Sequence, residues 1–289
     1  MAHNPERLSR LRSVMGEQGI DVLYVRELSN ISWATGFERV FDDESAHALV
    51  VSAHNCVLHT DSRYFDAMKS AAADTDIEVD NSRMAHSAVL AQVSDCIDGD
   101  IVRVGIEDSM PLAEYRALQR TFEGRAIDLV ELSGFVEELR QVKDESEITA
   151  MRKAQSITDA AFANIIAFMK PGMTEREVQL QLDRYMYEEG AEGLAFGTIV
   201  ATGAHAASPH AIPGETKLAF GDAVVMDFGA RYAGYCSDMT RTVFVGEPSD
   251  EVRRAYGAIR RANEECEAML RAGLSGADVH QHAEAVLEE

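Results

Sequence analysis

The segment DFGARYAGYCSDMTRT (residues 227–242) decides how the second half of the chain is interpreted, because it carries two aspartates on either side of a short turn. The apolar run AVVM precedes it, and the run VFVG follows it. This pattern is typical of two strands joined in a tight hairpin. A turn at Tyr232 and Ala233 would place Asp227 directly opposite Asp238, so the segment predicts a pair of facing carboxylates.

Two facing carboxylates need something that offsets their mutual repulsion. Directly opposed Cβ atoms lie about 5 Å apart in a sheet, and two unit charges at that distance repel by roughly 3 kcal/mol at an effective dielectric of 20. A shared proton or a divalent cation would offset this repulsion, and carboxylate oxygens suit hard or borderline cations such as manganese. The spacing fits equally well a hairpin of slipped register in which one aspartate caps a turn.

Length and composition predict a two-domain soluble protein. The chain has 289 residues, of which 46% are hydrophobic and 26% are charged. Its first twenty residues lack the continuous apolar stretch of a secretory signal, and no apolar run approaches the roughly 20 residues of a membrane helix. We therefore expect a cytoplasmic protein without a membrane partner.

The charge balance is strongly acidic. Lysine and arginine together number 27 against 49 acidic residues, which gives a net charge of -22. Such a surface repels nucleic acid and anionic lipid, so neither is an expected partner. Only five of the basic residues are lysines, a composition typical of halophilic proteins. The four cysteines lie far apart without a CxxC spacing, which predicts free thiols.

Residue patterns place a domain boundary near residue 133. Residues 1–132 alternate helical and strand-like segments and predict an α/β domain with a mixed sheet, in which Leu8, Leu11 and Met15 form the buried face of the first helix. A hairpin in this domain is expected to turn at His54 and Asn55.

The second predicted domain, residues 133–289, begins with two capped helices. Asp144 with Glu147 and Thr174 with Glu177 have the spacing of capping boxes. Three strands and then two helices, at about 249–271 and 276–288, are expected to follow. The predicted buried face of the first long helix consists of Ile148, Met151, Gln155, Thr158, Phe162, Ile165 and Met169.

The run GDAVVMDFGARYAGYCSDMTRTVFVG resembles the pita-bread metallopeptidases of family M24, and specifically their Xaa-Pro aminopeptidase and prolidase branch. The resemblance implies an α+β pita-bread catalytic domain. It also implies that Asp227 and Asp238 are ligands of a dinuclear centre of two divalent metal ions, with manganese favoured and cobalt or zinc as alternatives.

The upstream run FGTIVATGAHAASPH extends the resemblance to two further residues. A lone loop histidine is more often a surface or core residue, but the family spacing implies that His210 is catalytic and donates to the substrate carbonyl or the developing oxyanion. The resemblance also places Phe196 in the pocket for the substrate's first side chain, although an ordinary core phenylalanine fits the sequence nearly as well. Thr240, Arg241 and Thr242 either orient Asp238 or are ordinary strand-face residues.

The runs LSNISWATGF and LHTDSRYFDAM resemble the creatinase-type N-terminal domain that accompanies this branch. The resemblance implies a homodimer whose substrates are short peptides with proline at the second position. The implied reaction is metal-dependent hydrolysis of the Xaa-Pro bond.

A complete site of this family has five ligands, and the remaining histidine and two glutamates cannot be placed in the chain. His280 and His282 lie two positions apart on a predicted helix and point about 200° from each other, so they are interpreted as solvated. We therefore expect an incomplete catalytic domain, namely the first half of a C-terminally truncated pita-bread fold. On this basis the 289-residue chain alone is expected to be inactive and prone to associate.

Two alternatives remain at this point. The same scaffold hosts creatinase-like reactions and the breakdown of small compatible solutes, which the acidic composition makes plausible. A non-catalytic peptide-binding module is the other alternative, and retention of Asp227, Asp238 and His210 argues against it. Methionine aminopeptidase fits less well, because that branch lacks the creatinase-type domain.

Overall fold

The computed structural model describes residues 5–37, 39–42 and 46–288. The chain divides into two compact units, one of Met1–Ala150 with Ala233–Tyr235 and one of Met151–Tyr232 with Cys236–Glu289. In the described part of the chain, no helix combines the length and the apolarity that crossing a bilayer requires.

The first unit is built on a six-stranded mixed sheet with the strand order β4-β3-β2-β1-β5-β6. The pairs β1-β2 and β2-β3 are antiparallel, and the other three pairs are parallel. The mixed sheet and the hairpin of β2 and β3 are confirmed, but the hairpin turns at Ala53 and His54, one residue earlier than predicted, because Val51 pairs with Cys56. The strands are β1 (Val22–Val25), β2 (Ala48–Ser52), β3 (Cys56–His59), β4 (Glu78–Asp80), β5 (Val102–Glu107) and β6 (Ile127–Leu132).

Helices cover both faces of this sheet, as expected where strands read as continuous apolar runs. Helices α1, α2, α3 and α6 contribute to one buried cluster, and α4 and α5 contribute to the other. Leu8, Leu11 and Met15 are buried as predicted. The helices are α1 (Pro5–Glu17), α2 (Leu28–Thr35), α3 (Phe65–Ala71), α4 (His86–Ser94), α5 (Leu112–Phe122) and α6 (Phe135–Gln141).

The second unit combines helices with two small sheets, whose strand orders are β11-β10-β7 and β12-β9-β8. Its helices are α7 (Glu145–Phe168), which begins in the first unit, α8 (Glu175–Glu188), α9 (Asp250–Met269) and α10 (Gly276–Glu288). Its strands are β7 (Gly193–Leu194), β8 (Ile199–Thr202), β9 (Ala223–Phe228), β10 (Ala230–Tyr232), β11 (Tyr235–Cys236) and β12 (Met239–Phe244).

Both predicted capping boxes are present. Asp144 accepts from the Glu147 N–H while Glu147 accepts from the Asp144 N–H, and Thr174 and Glu177 exchange the equivalent bonds at the start of α8. These reciprocal bonds satisfy backbone donors that a helix start otherwise leaves unpaired.

The predicted buried face of α7 is partly wrong. Met151 is 36% exposed and Phe162 is only partly buried. The stripe that packs on α8 and β9 is rotated by about one residue, because the small side chains of the helix allow closer packing than the large ones. It consists of Ala154, Ile157, Thr158, Ala161 and Ile165.

Helices α9 and α10 match the predicted ranges closely and pack against each other. His280 pairs with Glu284, whereas His282 pairs with Glu265. The two histidines therefore do not converge on one point.

A pair of histidines joins β3 to α4 in the first unit. His59 Nε2 lies 3.1 Å from the Ser82 carbonyl oxygen, which can only accept, so Nε2 carries the proton in the neutral ring. His59 Nδ1 then accepts from His86 Nδ1, 2.6 Å away. Burial lowers the pKa of His86 to about 3, and the positive charge of Arg26 adds to this effect.

We expect His86 to make the first unit sensitive to acid. A histidine whose folded pKa lies below its unfolded value of 6.5 binds protons better when unfolded. The free energy of unfolding therefore falls as the pH drops below 6.5. The fall from pH 7 to pH 5 should be smaller in His86→Gln than in the parent, in urea titrations that follow the fluorescence of the single tryptophan, Trp33.

His54→Gln is the matched control, because His54 is an exposed residue of the same unit. Its pH dependence should equal that of the parent. Parallel curves for the parent and for His86→Gln would contradict the assignment.

Candidate active site

Asp227 lies on the strand β9, whose side chains alternate between two faces. Val224, Met226 and Phe228 are fully buried in the core formed with α7 and α8. Asp227 therefore points to the opposite face, as the two-residue period of a strand requires. It is half-buried there, while Asp238, just before β12, is exposed.

The register of the hairpin differs from the one predicted. Thr240 pairs with Asp227 and Met239 pairs with Phe228, so Asp238 faces Gly229. The prediction that Asp227 and Asp238 are directly opposed is wrong by two residues. A shift of two preserves the side-chain face, so in regular sheet geometry the two carboxylates are diagonal neighbours about 7 Å apart.

The turn explains the difference. It lies at Ala233 and Gly234, which both have positive φ angles, 49° and 77°. Two positive φ angles define the type I′ turn, whose twist matches the twist of paired strands. Glycine adopts a positive φ angle most readily, which favours Gly234 as a central residue of the turn. The chain therefore turns one residue later than the predicted turn at Tyr232 and Ala233.

Gly229 must be glycine because there is no space for a side chain at this position. A Cβ atom at this position would overlap the backbone carbonyl of Ser237. The DFG sequence therefore lets the two strands approach closely next to Asp227 and Asp238.

Buried hydroxyls hold the hairpin on α7. The Thr158 and Ser237 hydroxyl oxygens lie 2.6 Å apart, and the Ala230 N–H donates to the Ser237 hydroxyl at 2.9 Å. Thr158 is fully buried and Ser237 is 5% exposed. The residue immediately before Asp238 is thus fixed to the core, which limits the positions that the Asp238 backbone can adopt.

Asp227 has an unsatisfied oxygen. Its Oδ1 is buried and has no hydrogen-bond partner among the described residues. A buried acceptor left unpaired costs about 1 to 3 kcal/mol. A hard cation is a suitable partner for such an oxygen, and the exposed carboxylate of Asp238 on the same face supplies a second oxygen donor. These two residues fit a divalent metal ion.

The described residues do not form a complete metal site. Across residues 5–37, 39–42 and 46–288, no three histidine, cysteine, aspartate or glutamate side chains stand in metal-binding geometry. Asp227 and Asp238 are two of the five ligands that the resemblance implies.

His210 lies in the loop between β8 and β9 and is exposed. Its side chain makes no hydrogen bond to any part of the chain that the structure describes, so its imidazole is available to a ligand. Phe196 is half-buried in the bend between β7 and β8. The N–H of its neighbour Ala195 donates to the Gly229 carbonyl at 2.9 Å, which brings this bend beside the Asp227 strand.

The three residues after Met239 have different surroundings. Thr240 is exposed and faces Asp227 across the hairpin. Arg241 donates to the Thr240 carbonyl at 2.8 Å and so folds back along its own strand. Thr242 faces Val225. Thr240 and Thr242 both share a face with the two aspartates, and Thr240 is the nearer of the two to them.

Sequence patterns missed a buried acid next to the His210 loop. Glu175 is fully buried, and its carboxylate accepts from His205 at 2.8 Å and from the Thr202 N–H at 2.9 Å. Thirty positions separate Glu175 from His205, so no local motif links them. The only local sign is that Glu175 is a second acid in a helix start that Glu177 already caps.

Both halves of the chain match models of known protein families. Residues 149–289 match the model of metallopeptidase family M24, and residues 7–142 match the creatinase/prolidase N-terminal domain. The chain is 34% identical over 273 residues to the uncharacterized peptidase YqhT of Bacillus subtilis, an alignment that covers 93% of this chain and 74% of YqhT. The chain belongs to metallopeptidase family M24.

Solved structures of similar proteins agree with this family. The chain matches an Xaa-Pro dipeptidase from Bacillus anthracis with a TM-score of 0.86 and 32% identity, over 98% of this chain and 77% of that one. It matches an X-Pro aminopeptidase from Thermotoga maritima with a TM-score of 0.82 and 32% identity, over 98% and 77%. The architecture is therefore a creatinase-type N-terminal domain followed by the α+β pita-bread domain of the M24 family.

We expect a divalent metal to stabilise the M24 protein through Asp227. Manganese at 100 times its dissociation constant would raise the free energy of unfolding by about 2.7 kcal/mol. Asp227→Asn should abolish this gain, because an amide is a weaker ligand and adds donors to a buried position. Thermal unfolding with and without manganese, in protein made from the complete coding sequence, measures the effect.

Asp250→Asn is the matched control, because Asp250 is an exposed aspartate of the same unit. It should retain the full metal-dependent gain. An equal gain in Asp227→Asn would exclude Asp227 as a ligand.

Proposed function

We propose that this protein hydrolyses the peptide bond before proline in short peptides, with two divalent metal ions as cofactors and manganese as the favoured metal. The family supports the general reaction, because its members are metallopeptidases. The substrate is supported by similarity at 32% identity to structures named as an Xaa-Pro dipeptidase and an X-Pro aminopeptidase.

The observation that supports this proposal most directly is the unpaired carboxylate oxygen of Asp227. A half-buried carboxylate with one buried oxygen unpaired is destabilising unless a ligand completes it. Asp238 lies on the same face of the hairpin, fixed through Ser237 to the core. A protein without chemistry at this face gains nothing from this arrangement.

Asp227 and Asp238 would hold the metal ions through their carboxylate oxygens. When bound, such ions supply a water nucleophile of lowered pKa and polarise the substrate carbonyl. Thr240 would orient the Asp227 carboxylate, a role that is supported by its position opposite Asp227 across the hairpin. In this proposal the two aspartates are metal ligands, and Thr240 orients one of them.

His210 would act on the substrate itself. Its imidazole is exposed and has no hydrogen bond within the described chain, so an N–H can be donated to the oxyanion that develops during hydrolysis. Phe196 would contact the side chain of the first substrate residue. Its half-buried position next to the Asp227 strand is suitable for a wall of that pocket.

The creatinase-type N-terminal domain supports a further part of the proposal, that the protein is a homodimer. Sedimentation of the protein made from the complete coding sequence distinguishes a dimer from a monomer.

A substrate panel tests the proposed reaction. We expect Xaa-Pro dipeptides to be hydrolysed at least roughly tenfold more efficiently than the same dipeptides with alanine in place of proline. Creatine and ectoine derivatives in the same panel represent the alternative reactions of this scaffold. Hydrolysis of those compounds without release of proline would replace the proposal with a small-solute hydrolase, and no turnover of any compound would favour a binding module.

His210→Ala should lower kcat by about 10² to 10³-fold, the usual effect of removing one donor to an oxyanion. Metal content should stay unchanged, because His210 is not among the proposed ligands. Kinetics and metal analysis of the same preparation measure both quantities. The control is His280→Ala, since His280 is exposed and pairs with Glu284; a loss of metal in His210→Ala would contradict its role as a donor.

A further inference from the structure

The Glu175 carboxylate is an unusual buried group. Its side chain is 0% exposed, and both oxygens are engaged. Oε1 accepts from the Thr202 N–H at 2.9 Å and Oε2 accepts from the Gly214 N–H at 3.1 Å. His205 Nδ1 lies 2.8 Å from Oε1 and 2.9 Å from Oε2. Three donors from three positions of one loop therefore meet on a single carboxylate.

These donors lie on either side of the part of the β8–β9 loop that carries His210, residues 203–213. Thr202 is the last residue of β8, and Gly214 lies eleven residues beyond Gly203 within the same loop. His205 lies within a short 3₁₀ helix, Gly203–Ala207, at the start of the loop. The Glu175 side chain thus bonds to the chain both before and after His210.

The middle of the loop has fewer restraints of its own. The Ser208 N–H donates to the His205 carbonyl at 3.0 Å, and the Ala211 N–H donates to the Ser208 carbonyl at 3.2 Å. Ala211 is buried, whereas His210 beside it is exposed and Ile212 is 84% exposed. The position of His210 therefore depends on where the loop ends are held.

Capping of α8 does not account for Glu175. Thr174 and Glu177 form the capping box of this helix and bond to each other's backbone N–H groups, so the Glu175 side chain takes no part in it. Glu175 instead turns away from its own helix start and bonds to the loop. Its carboxylate lies near the α8 N-terminus, where a negative charge is favourable.

We propose that Glu175 and His205 form a clamp that positions His210 for the proposed peptide hydrolysis. The clamp consists of the Glu175 carboxylate, the His205 imidazole and the N–H groups of Thr202 and Gly214. Both residues are positioning residues, because they act on the substrate only through the loop. This inference rests on the proposed function for its kinetic part, while its structural part stands without it.

The chemistry of the His205 contact predicts which substitutions preserve it. An ionised carboxylate only accepts, so His205 Nδ1 must donate. An asparagine side chain places its Nδ2 donor at the same distance along the side chain as histidine Nδ1. His205→Asn should therefore preserve the clamp, and His205→Ala should break it. His205 is half-exposed, so both variants are expected to fold.

The structural part is tested by amide hydrogen exchange across residues 203–213. In His205→Ala and in Glu175→Gln, exchange in this loop should rise by about tenfold or more, while exchange in α7 stays unchanged. His205→Asn should match the parent. Glu177→Gln is the matched control, because it weakens the cap of the same helix but leaves the clamp intact.

The kinetic part is tested with an Xaa-Pro dipeptide and protein made from the complete coding sequence. His205→Ala should lower kcat by up to about 100-fold with KM changed less than threefold, because a displacement of about 1 Å at a catalytic group has that effect. His205→Asn should restore kcat to within threefold of the parent. In a His210→Ala background, adding His205→Ala should change kcat by less than twofold, since the group that the clamp positions is already absent.

Three results would overturn the clamp. They are unchanged loop exchange in both His205→Ala and Glu175→Gln, equal kinetic losses in His205→Asn and His205→Ala, and full additivity of His205→Ala with His210→Ala. Failure of the proposed function gives a different pattern. In that case the parent would not hydrolyse Xaa-Pro dipeptides, while the exchange results would still decide whether the clamp exists.

Discussion

The close approach of two strands at Gly229 is the constraint on which the candidate site depends. No side chain fits at this position, because the Ser237 carbonyl occupies the space of a Cβ atom. The strands can therefore run together from the Ala233 and Gly234 turn into the β9 and β12 pair without a change of register. This continuity places Asp227 and Asp238 on one face, and Ser237 then anchors that face to α7 through Thr158.

Two buried acids of the second unit show opposite solutions to the same physical problem. Desolvation of a carboxylate is unfavourable unless donors or cations replace water. Glu175 has its full set of donors inside the protein, and its surroundings are complete. Asp227 retains a buried oxygen without a donor among the described residues. The protein itself satisfies Glu175, whereas we propose that a metal ion completes the surroundings of Asp227.

Sequence patterns predicted what is encoded locally. Capping boxes span four residues, and the hairpin from β9 to β12 spans about twenty, so both were identified from spacing. The side-chain face of Asp227 was correct although the register was not, because an error of two residues leaves the strand period unchanged. The buried face of α7 was partly wrong, since Ala154, Ile157 and Ala161 are buried while Met151 is exposed, and spacing alone does not decide which of two adjacent stripes meets the core.

What sequence patterns could not reach is long-range pairing between polar groups. Glu175 and His205 are thirty positions apart in the sequence, and Thr158 and Ser237 are seventy-nine apart. Sequence motifs rarely link residues at such separations. Each pair forms only because the fold first brings α7 or α8 against the strands. Both pairs then restrain a segment next to a candidate site residue, Asp238 in one case and His210 in the other. Hydrogen bonds weaken steeply with misalignment. A buried and fully paired polar group therefore allows the segment that carries it fewer positions than apolar packing does. The fold therefore uses apolar contacts to assemble the second unit and buried polar contacts to set the positions of the segments that carry its candidate site.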